Sequence, residues 1–317
     1  MKPELLSNSI AGVVVKSDAD RKRSNLILIV FSVLTVIGFS VPIWIISNPL
    51  SWVEISAFIL FYVMAVMGIS VSRHRYLTHR SFETSLPMRA VLCFLGVSGG
   101  PGSLVMWVAD HRRHHAHTDG CGDVHSPVVD AHCHEIDSLK GFWHAHLGWI
   151  RDHTRTDPKI WAKDLLDDPI VLFFSRTSLY WFFGSLFVLP GLYGLILGGP
   201  EHVVSTILVG GLLRGAAYSQ ATLAVNSICH TMGTRRFEQE NTSTNNAIVA
   251  IVSLGEGWHN NHHRFPRSAH FGIAWYEIDV LGSVIGLMER LGLVWNVVRV
   301  TPSMVERALQ TGAKTEA

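Results

Sequence analysis

The sequence predicts an all-α integral membrane protein, with four transmembrane helices in two hairpins and a cytoplasmic helical cap. Three observations carry that prediction. Of 317 residues, 48% are hydrophobic and only 16% charged, against roughly 25% charged in ordinary globular chains. Four apolar segments are long enough to cross a bilayer, and 18 histidines gather mainly just beyond their ends. The 26 Lys and Arg residues against 25 Asp and Glu leave a net charge of +1. That balance excludes a nucleic-acid binder, because phosphate recognition needs a dense excess of cations on one face.

Residues 1–25 are mostly polar, acids included, with no small-residue cleavage site close behind the apolar run that follows, so they are not read as a cleavable signal. Residues 26–46 carry no charge; at ~1.5 Å per residue they cross a ~30 Å hydrocarbon core as the first span. Leu50–Ser70 is the second, with Glu54 near one end, and Thr177–Leu197 the third, with Pro190 tolerated as a kink. The fourth, Val203–Asn226, has Arg214 near its middle. A cation there costs about 3 kcal/mol on insertion scales, so it must pair, snorkel or face a wet cavity; Glu54 is one conceivable partner. Arg21, Lys22 and Arg23 flank the first span while the loops SNPLSW and GGPEH hold no Lys or Arg, which puts both termini in the cytoplasm.

The hairpins then occupy residues 26–71 and 171–229, and the cap residues 72–170 and 230–317, as one integrated unit. Ala90–Val108 is uncharged, but a crossing there would put histidine clusters on opposite faces of the membrane. The GGPG at Gly99–Gly102 also breaks a helix, so two short helices are expected. A helical stretch from about Trp275 to Val298 and a polar tail after Pro302 complete the cap. Cys93, Cys121, Cys133 and Cys229 lack CxxC or framework spacing and are read as reduced thiols.

In DHRRHH, His111, His114 and His115 stand three and four residues apart, within about 100° of helical arc. His259, His262 and His263 repeat the spacing in HNNHH, and Asn226 and His230 share a face in NSICH. His74 and His79 are five apart, about 140° on an ideal helix, so that pair needs an unwound helix end or two different ions. Imidazole ligates iron, copper, zinc and nickel, and nine histidines exceed the capacity of one ion; a two-metal site in the cap follows. His117, His125, His144, His146, His153 and His270 fall outside the pattern. His132, Cys133 and His134 lie in DAHCHEIDSLK, read as a solvated loop with an extra metal site as the alternative. Asp110, Asp119, Asp123 and Glu256 either orient ligand imidazoles through the free N–H or pair with nearby arginines.

HRYLTH, HRRHH and HNNHH, in that order, resemble the histidine boxes of membrane fatty-acid desaturases of the stearoyl-CoA desaturase type. GISVSRHRYLTHRSF, DHRRHHAHTDGCGDVHSP, GFWHAHLGWI and GEGWHNNHHRFP extend the likeness over about residues 68–280, with DAHCHEIDSLK as an insertion. The resemblance implies two iron ions held by His74, His79, His111, His114, His115, His230, His259, His262 and His263, with Asn226 holding a coordinated water. It implies O2 as co-substrate, and dehydrogenation of a fatty acyl chain carried on CoA, acyl-carrier protein or lipid in a bacterial cytoplasmic membrane. No haem-binding HPGG-type segment or CxxC motif is present, so electrons come from a separate ferredoxin-, rubredoxin- or cytochrome b5-like donor. Ala109 stands where animal acyl-CoA members tend to carry a basic residue before the second box.

Trp107, Trp143, Trp149 and Trp258 line a substrate tunnel or belong to an interfacial aromatic belt. Arg73, Arg75, Arg112, Arg113, Arg235, Arg236, Arg264 and Arg267 make the active face basic, to receive an acidic carrier or donor, or reflect positive-inside bias. Competing products are an alcohol, as from a membrane di-iron hydroxylase, or an alkyne or decarboxylated chain. A metal transporter would place its ligands near the bilayer midplane, whereas these clusters lie at helix ends and beyond.

Overall fold

The computed structural model describes residues 10–312; the N-terminal and C-terminal segments read above fall partly outside them, at residues 1–9 and 313–317. Helix α1, Asp18–Ser47, starts eight residues ahead of the apolar run. Ser17 is the reason: its side chain accepts from Asp20 N while the Asp20 carboxylate accepts from Ser17 N, satisfying two donors that a helix start leaves orphaned. Helix α2, Trp52–Thr78, opens with the same box, made by Ser51 and Glu54. Helices α3, Leu86–Ser98, and α4, Leu104–His117, are separate, so the GGPG break is present. Helices α5, Ser138–His146, and α6, Pro169–Arg176, follow, then α7, Ser178–Leu197.

Among the described residues, three helices, α1, α2 and α7, are long and apolar enough to cross a membrane. The fourth apolar stretch forms α8, a continuous succession of Val203–Thr206, Ile207–Leu213 and Arg214–Ser227. Arg214 is buried and is not Glu54's partner. Its Nε donates to Gly210 O at 3.1 Å and Nη2 to Ser185 O at 2.5 Å. Ser185 and Gly210 both lie in π-helical turns, Gly184–Val188 and Ile207–Leu213, where the wider backbone displaces carbonyls from the regular ladder and offers them to the guanidinium. Glu54 accepts instead from His202 and Ser205.

Further helices among the described residues are α9, Ala247–Val252; α10, His259–Arg264; α11, Val280–Arg290; and α12, Pro302–Gly312, with single turns such as Pro158–Trp161 between elements. The helix read over Trp275–Val298 is thus shorter at both ends. Glu277 accepts from the backbone of Ile273 and Ala274, folding that stretch into a turn, and Asp279 caps Gly282 N. The polar tail after Pro302 is helical, as α12. Two small antiparallel pairings were not legible: β1, Val13–Val15, with β3, Thr154–Thr156, and β2, Glu83–Thr84, with β4, Val294–Trp295.

The main apolar core joins the end of α2 (Val71) to α3 (Leu92, Cys93, Val97), α4 (Leu104, Val108), α6 (Val171) and α11 (Leu281, Ile285), all buried. Gly68 meets the Leu95 carbonyl and Gly99, so the absence of a side chain lets α2 and α3 touch backbone to backbone. Arg73 stitches the same seam, donating to Gly96 O at 2.8 Å and Gly100 O at 2.6 Å, carbonyls left open where α3 ends. The cysteines correct the sequence reading in part. Cys93 and Cys229 are free and buried, but Cys121 and Cys133 form a disulfide.

Candidate metal centre

The last eleven residues of α2, Gly68–Thr78, are π-helical. Bonding from residue i to i+5 places residues five apart on one face, and His79 N indeed donates to His74 O at 3.1 Å. The five-residue spacing that an ideal α-helix cannot use is therefore met by a wider helix. The two rings sit 4.9 Å apart.

On α4, His111 and His115 are one turn apart with Nε2 atoms at 3.1 Å, while His114, rotated by about 100° from His115, faces elsewhere. Helix α10 does the same. His259 and His263 pair at 3.0 Å, and His262 turns away to reach His74 and His115, each at 3.0 Å. His230, from the short turn Ile228–His230 at the end of α8, meets His259 at 3.0 Å. Two groups result. One holds His74, His79, His111, His115 and His262, the other His114, His230, His259 and His263, and in each the candidate ligand atoms lie within 4.8 Å of one another.

Burial and mutual crowding push His79, His111, His115, His259, His262 and His263 well below the usual imidazole range, so these rings stay neutral near pH 7 with lone pairs to give. Three acids fix which nitrogen gives it. Glu256 lies 2.5 Å from His74 Nδ1, Asp123 2.8 Å from His114 Nδ1, and Asp119 3.1 Å from His230 Nδ1. A carboxylate accepting the Nδ1 proton leaves Nε2 as the free donor atom, directed at the group. Burial opposes the ionised form of Asp123, yet His114 holds its carboxyl far below the ordinary range. Asp110 does not share this role; it is engaged by Thr156 and Arg113.

These residues fit a pair of cations. Imidazole Nε2 atoms 3.0 Å apart cannot all satisfy one another, since a neutral ring has one N–H and one lone pair. His79 Nε2 is buried without a hydrogen-bond partner. An ion within each group satisfies every inward lone pair at once, and an all-nitrogen set suits a redox-active transition metal.

Beside the groups lies a narrow, partly open cavity of about 40 Å3, lined by the polar His74, His111, His259, Asn226 and Glu256 and by Val66, Ile69, Tyr218, Ala221 and Val225 along its apolar walls. Trp107 lines it too and stacks on His111 at 5.0 Å. The other three tryptophans do not line it. Trp143 is exposed, Trp149 faces His125, and Trp258 Nε1 donates to Ile278 O.

Among the outlying histidines, His125 is drawn in. It is buried, stacks on His114 at 4.2 Å, and burial pushes its imidazole down to about 3. Its place in GDVHSP, two residues past Asp123, was the available signal. His144 pairs with Asp152, and His146 with Ser227 and Gln220; His270 bonds Gly272 O. His117 and His153 meet other rings, those of Trp161 and His132. Cys133 is spent in the disulfide, so no thiolate is available between His132 and His134. The basic face is thinner than the sequence suggests: Arg73, Arg75 and Arg113 are buried, and Arg112 is tied to Asp164 and to the Leu77 and Thr78 carbonyls.

The sequence profile of fatty acid desaturases matches residues 21–285. The chain belongs to the fatty acid desaturase family. It is 39% identical over 81% of its length to a hex-5-enoyl-[acyl-carrier protein] acetylenase of Moorena producens, covering 81% of that protein. It is 35% identical over 80% of its length to an sn-1 stearoyl-lipid 9-desaturase of Anabaena variabilis (86% covered), and 34% over 84% to an acyl-CoA C20 Delta5-desaturase of Anemone leveillei (81% covered). As a desaturase-family member the chain is an O2-dependent oxidoreductase acting on fatty acyl substrates.

Proposed function

We propose that this desaturase removes two hydrogens from neighbouring carbons of a saturated fatty acyl chain, consuming O2, two electrons and two protons and releasing two waters. The observation that carries the reading is the meeting of nine imidazoles, five and four, beside a narrow cavity with apolar walls. Two iron ions held by these nitrogens, with Asn226 supporting a water at the four-histidine group, supply oxidation of an unactivated C–H bond. The chain's own residues do the positioning. Val66, Ile69 and Val225 exclude water from the alkyl chain, Trp107 fixes His111 and borders the path, and Glu256, Asp119 and Asp123 hold three imidazoles in one tautomer. The same reading makes α8 a fourth span despite Arg214, pairs the spans as two hairpins, and places the histidine groups in a cap on the cytoplasmic side. There a separate small redox protein delivers electrons.

Expression in a host with a profiled fatty acid pool and a competent donor, beside a His262→Ala control, tests the proposal. The expected product is two mass units lighter than its saturated precursor and absent from the control. A product sixteen units heavier identifies a hydroxylase. The likeness to an acyl-carrier-protein acetylenase favours one second reading, conversion of an existing alkene to an alkyne on a protein-bound chain. Supplying saturated and terminally unsaturated chains on acyl-carrier protein, CoA and phospholipid separates the two.

A further inference from the structure

Cys121 lies at the centre of the turn that organises the four-histidine group. Two residues before it, Asp119 Oδ2 accepts from His230 Nδ1 at 3.1 Å and from the backbone and hydroxyl of Thr242 at 2.7 and 2.9 Å. Two residues after it, Asp123 Oδ1 accepts from His114 Nδ1 at 2.8 Å, while Asp123 Oδ2 accepts from Asp119 N at 2.7 Å. The turn also holds Asp119 in the left-handed region (φ 59°), which an aspartate adopts where local contacts favour it, and Gly122 at φ 103°, which glycine adopts freely.

The disulfide supplies one of those contacts. Cys133 belongs to a small hairpin in which Ile136 N donates to Val128 O and Asp130 N to His134 O, both at 2.9 Å, with Val129 and Glu135 paired. That hairpin is the segment that reads as an insertion in the desaturase pattern. Its bond to Cys121 spans 12 positions of sequence and clamps the insertion onto the aspartate turn. Cys121 is exposed, within reach of a soluble thiol, whereas Cys93 and Cys229 are buried and cannot compete for it. Disulfides facing a cytoplasm are rare and are usually transient and redox-sensing.

We propose that Cys121–Cys133 is a reversible thiol–disulfide modification site whose state sets how firmly the four-histidine group holds its ion. The reaction partner is a dithiol reductant. Its thiolate attacks Cys121 Sγ, the exposed sulfur, and Cys133 leaves as thiolate. The second thiol of the reductant then displaces Cys121, so that two electrons and two protons pass to the cysteines and the reductant ends as a disulfide. Reduction frees the insertion hairpin, loosens the turn, and lets Asp119 and Asp123 drift from His230 and His114. The five-histidine group has no member anchored to this turn and is unaffected. The inference rests on the metal-binding reading of the nine histidines.

The test compares the intact protein, loaded with Fe(II) under argon, after oxidised glutathione or dithiothreitol, with Cys121→Ser/Cys133→Ser beside it. Alkylation with mass mapping reads the cysteines independently of metal, and a chromophoric Fe(II) chelator reads release of each ion. Expected are two alkylated residues, Cys121 and Cys133, after dithiothreitol only. One of the two irons then leaves about tenfold faster, a typical loss for a displaced carboxylate behind a ligand histidine, and the serine variant shows the fast rate in both buffers. Equal release in both states, or cysteines that oxidised glutathione fails to join, overturns the proposal. A chain that closes and opens the disulfide but never binds iron overturns instead the metal reading on which it rests.

Discussion

Replacing Glu256 by glutamine removes one buried negative charge and almost no volume. That carboxylate accepts from His74 Nδ1 at 2.5 Å and from the Ser70 hydroxyl, and it lies 3.2 Å from Arg75 Nη2. The Arg75 side chain is fully buried and Glu256 nearly so. Burial disfavours the ionised form, but His74, Arg75 and Ser70 outweigh it and hold the carboxyl at about 2. Two costs follow. Losing the anion behind a ligand imidazole typically weakens metal affinity 10–100-fold, about 1.4–2.7 kcal/mol, and the loss falls on the five-histidine group alone because His74 belongs there. Folding loses one of Arg75's two carboxylates, since Asp279 at 3.1 Å remains. Breaking a buried pair costs about 3–5 kcal/mol, and the amide oxygen, still able to accept, puts Glu256→Gln near the lower figure. Competitive Fe(II) titration with iron counted by elemental mass spectrometry, and thermal unfolding in detergent, read the two costs separately. Expected is one weakened iron, a second within twofold of the parent, and a lower unfolding midpoint. Two irons bound with parental affinity would refute the argument that Glu256 sets the His74 tautomer.

Three further outcomes are expected. His262→Ala removes the imidazole that touches both His74 and His115, so purified protein should carry about one iron per chain instead of two, and product formation should cease. Trp107→Ala opens the cavity and frees the His111 ring, costing about 1–3 kcal/mol of stability because the indole is only partly buried, and broadening the positions at which the product is unsaturated, read by mass spectrometry of derivatised lipids. Burial raises the Asp164 carboxyl, but hydrogen bonds from Arg112 and Arg80 hold it at about 2, below the ordinary carboxylate range. Its folded value being depressed, its stabilisation is complete above about pH 4 and is lost as pH falls toward 2. Asp164→Asn should therefore lower the unfolding midpoint at pH 6, with the gap to the parent closing as pH drops through that window; no gap at pH 6, or one that does not change with pH, would show that the ionised pairing contributes nothing.

Much of the site was legible because its spacing is helical. Offsets of three and four in DHRRHH and HNNHH needed only α4 and α10 to form, and GGPG marked where α3 must stop. The assignment of neighbours to different groups was not legible. His114 and His115 are chemically alike, as are His262 and His263, and only the azimuth of each helix in the assembled fold decides which ring faces which group. His74 and His79 exposed a real conflict between spacing and the α-helix, and a π-helix resolved it, an outcome that hydropathy cannot signal. The disulfide was hidden because twelve positions without a motif carry no pairing information. Arg214 was rightly seen as costly, but its actual partners are main-chain carbonyls, which no side-chain pattern announces.

The two adjacent-histidine doublets have a mechanical consequence. Helices α4 and α10 each send rings to both groups, and the stacked His115 and His263, 4.5 Å apart, lie back to back between them. The gap between the two clusters is thus gauged by a pair of rigid rods that straddle it, much as two combs with interleaved teeth hold their spacing. Turning either rod advances one cluster and retracts the other, so the clusters cannot be tuned independently by moving a helix.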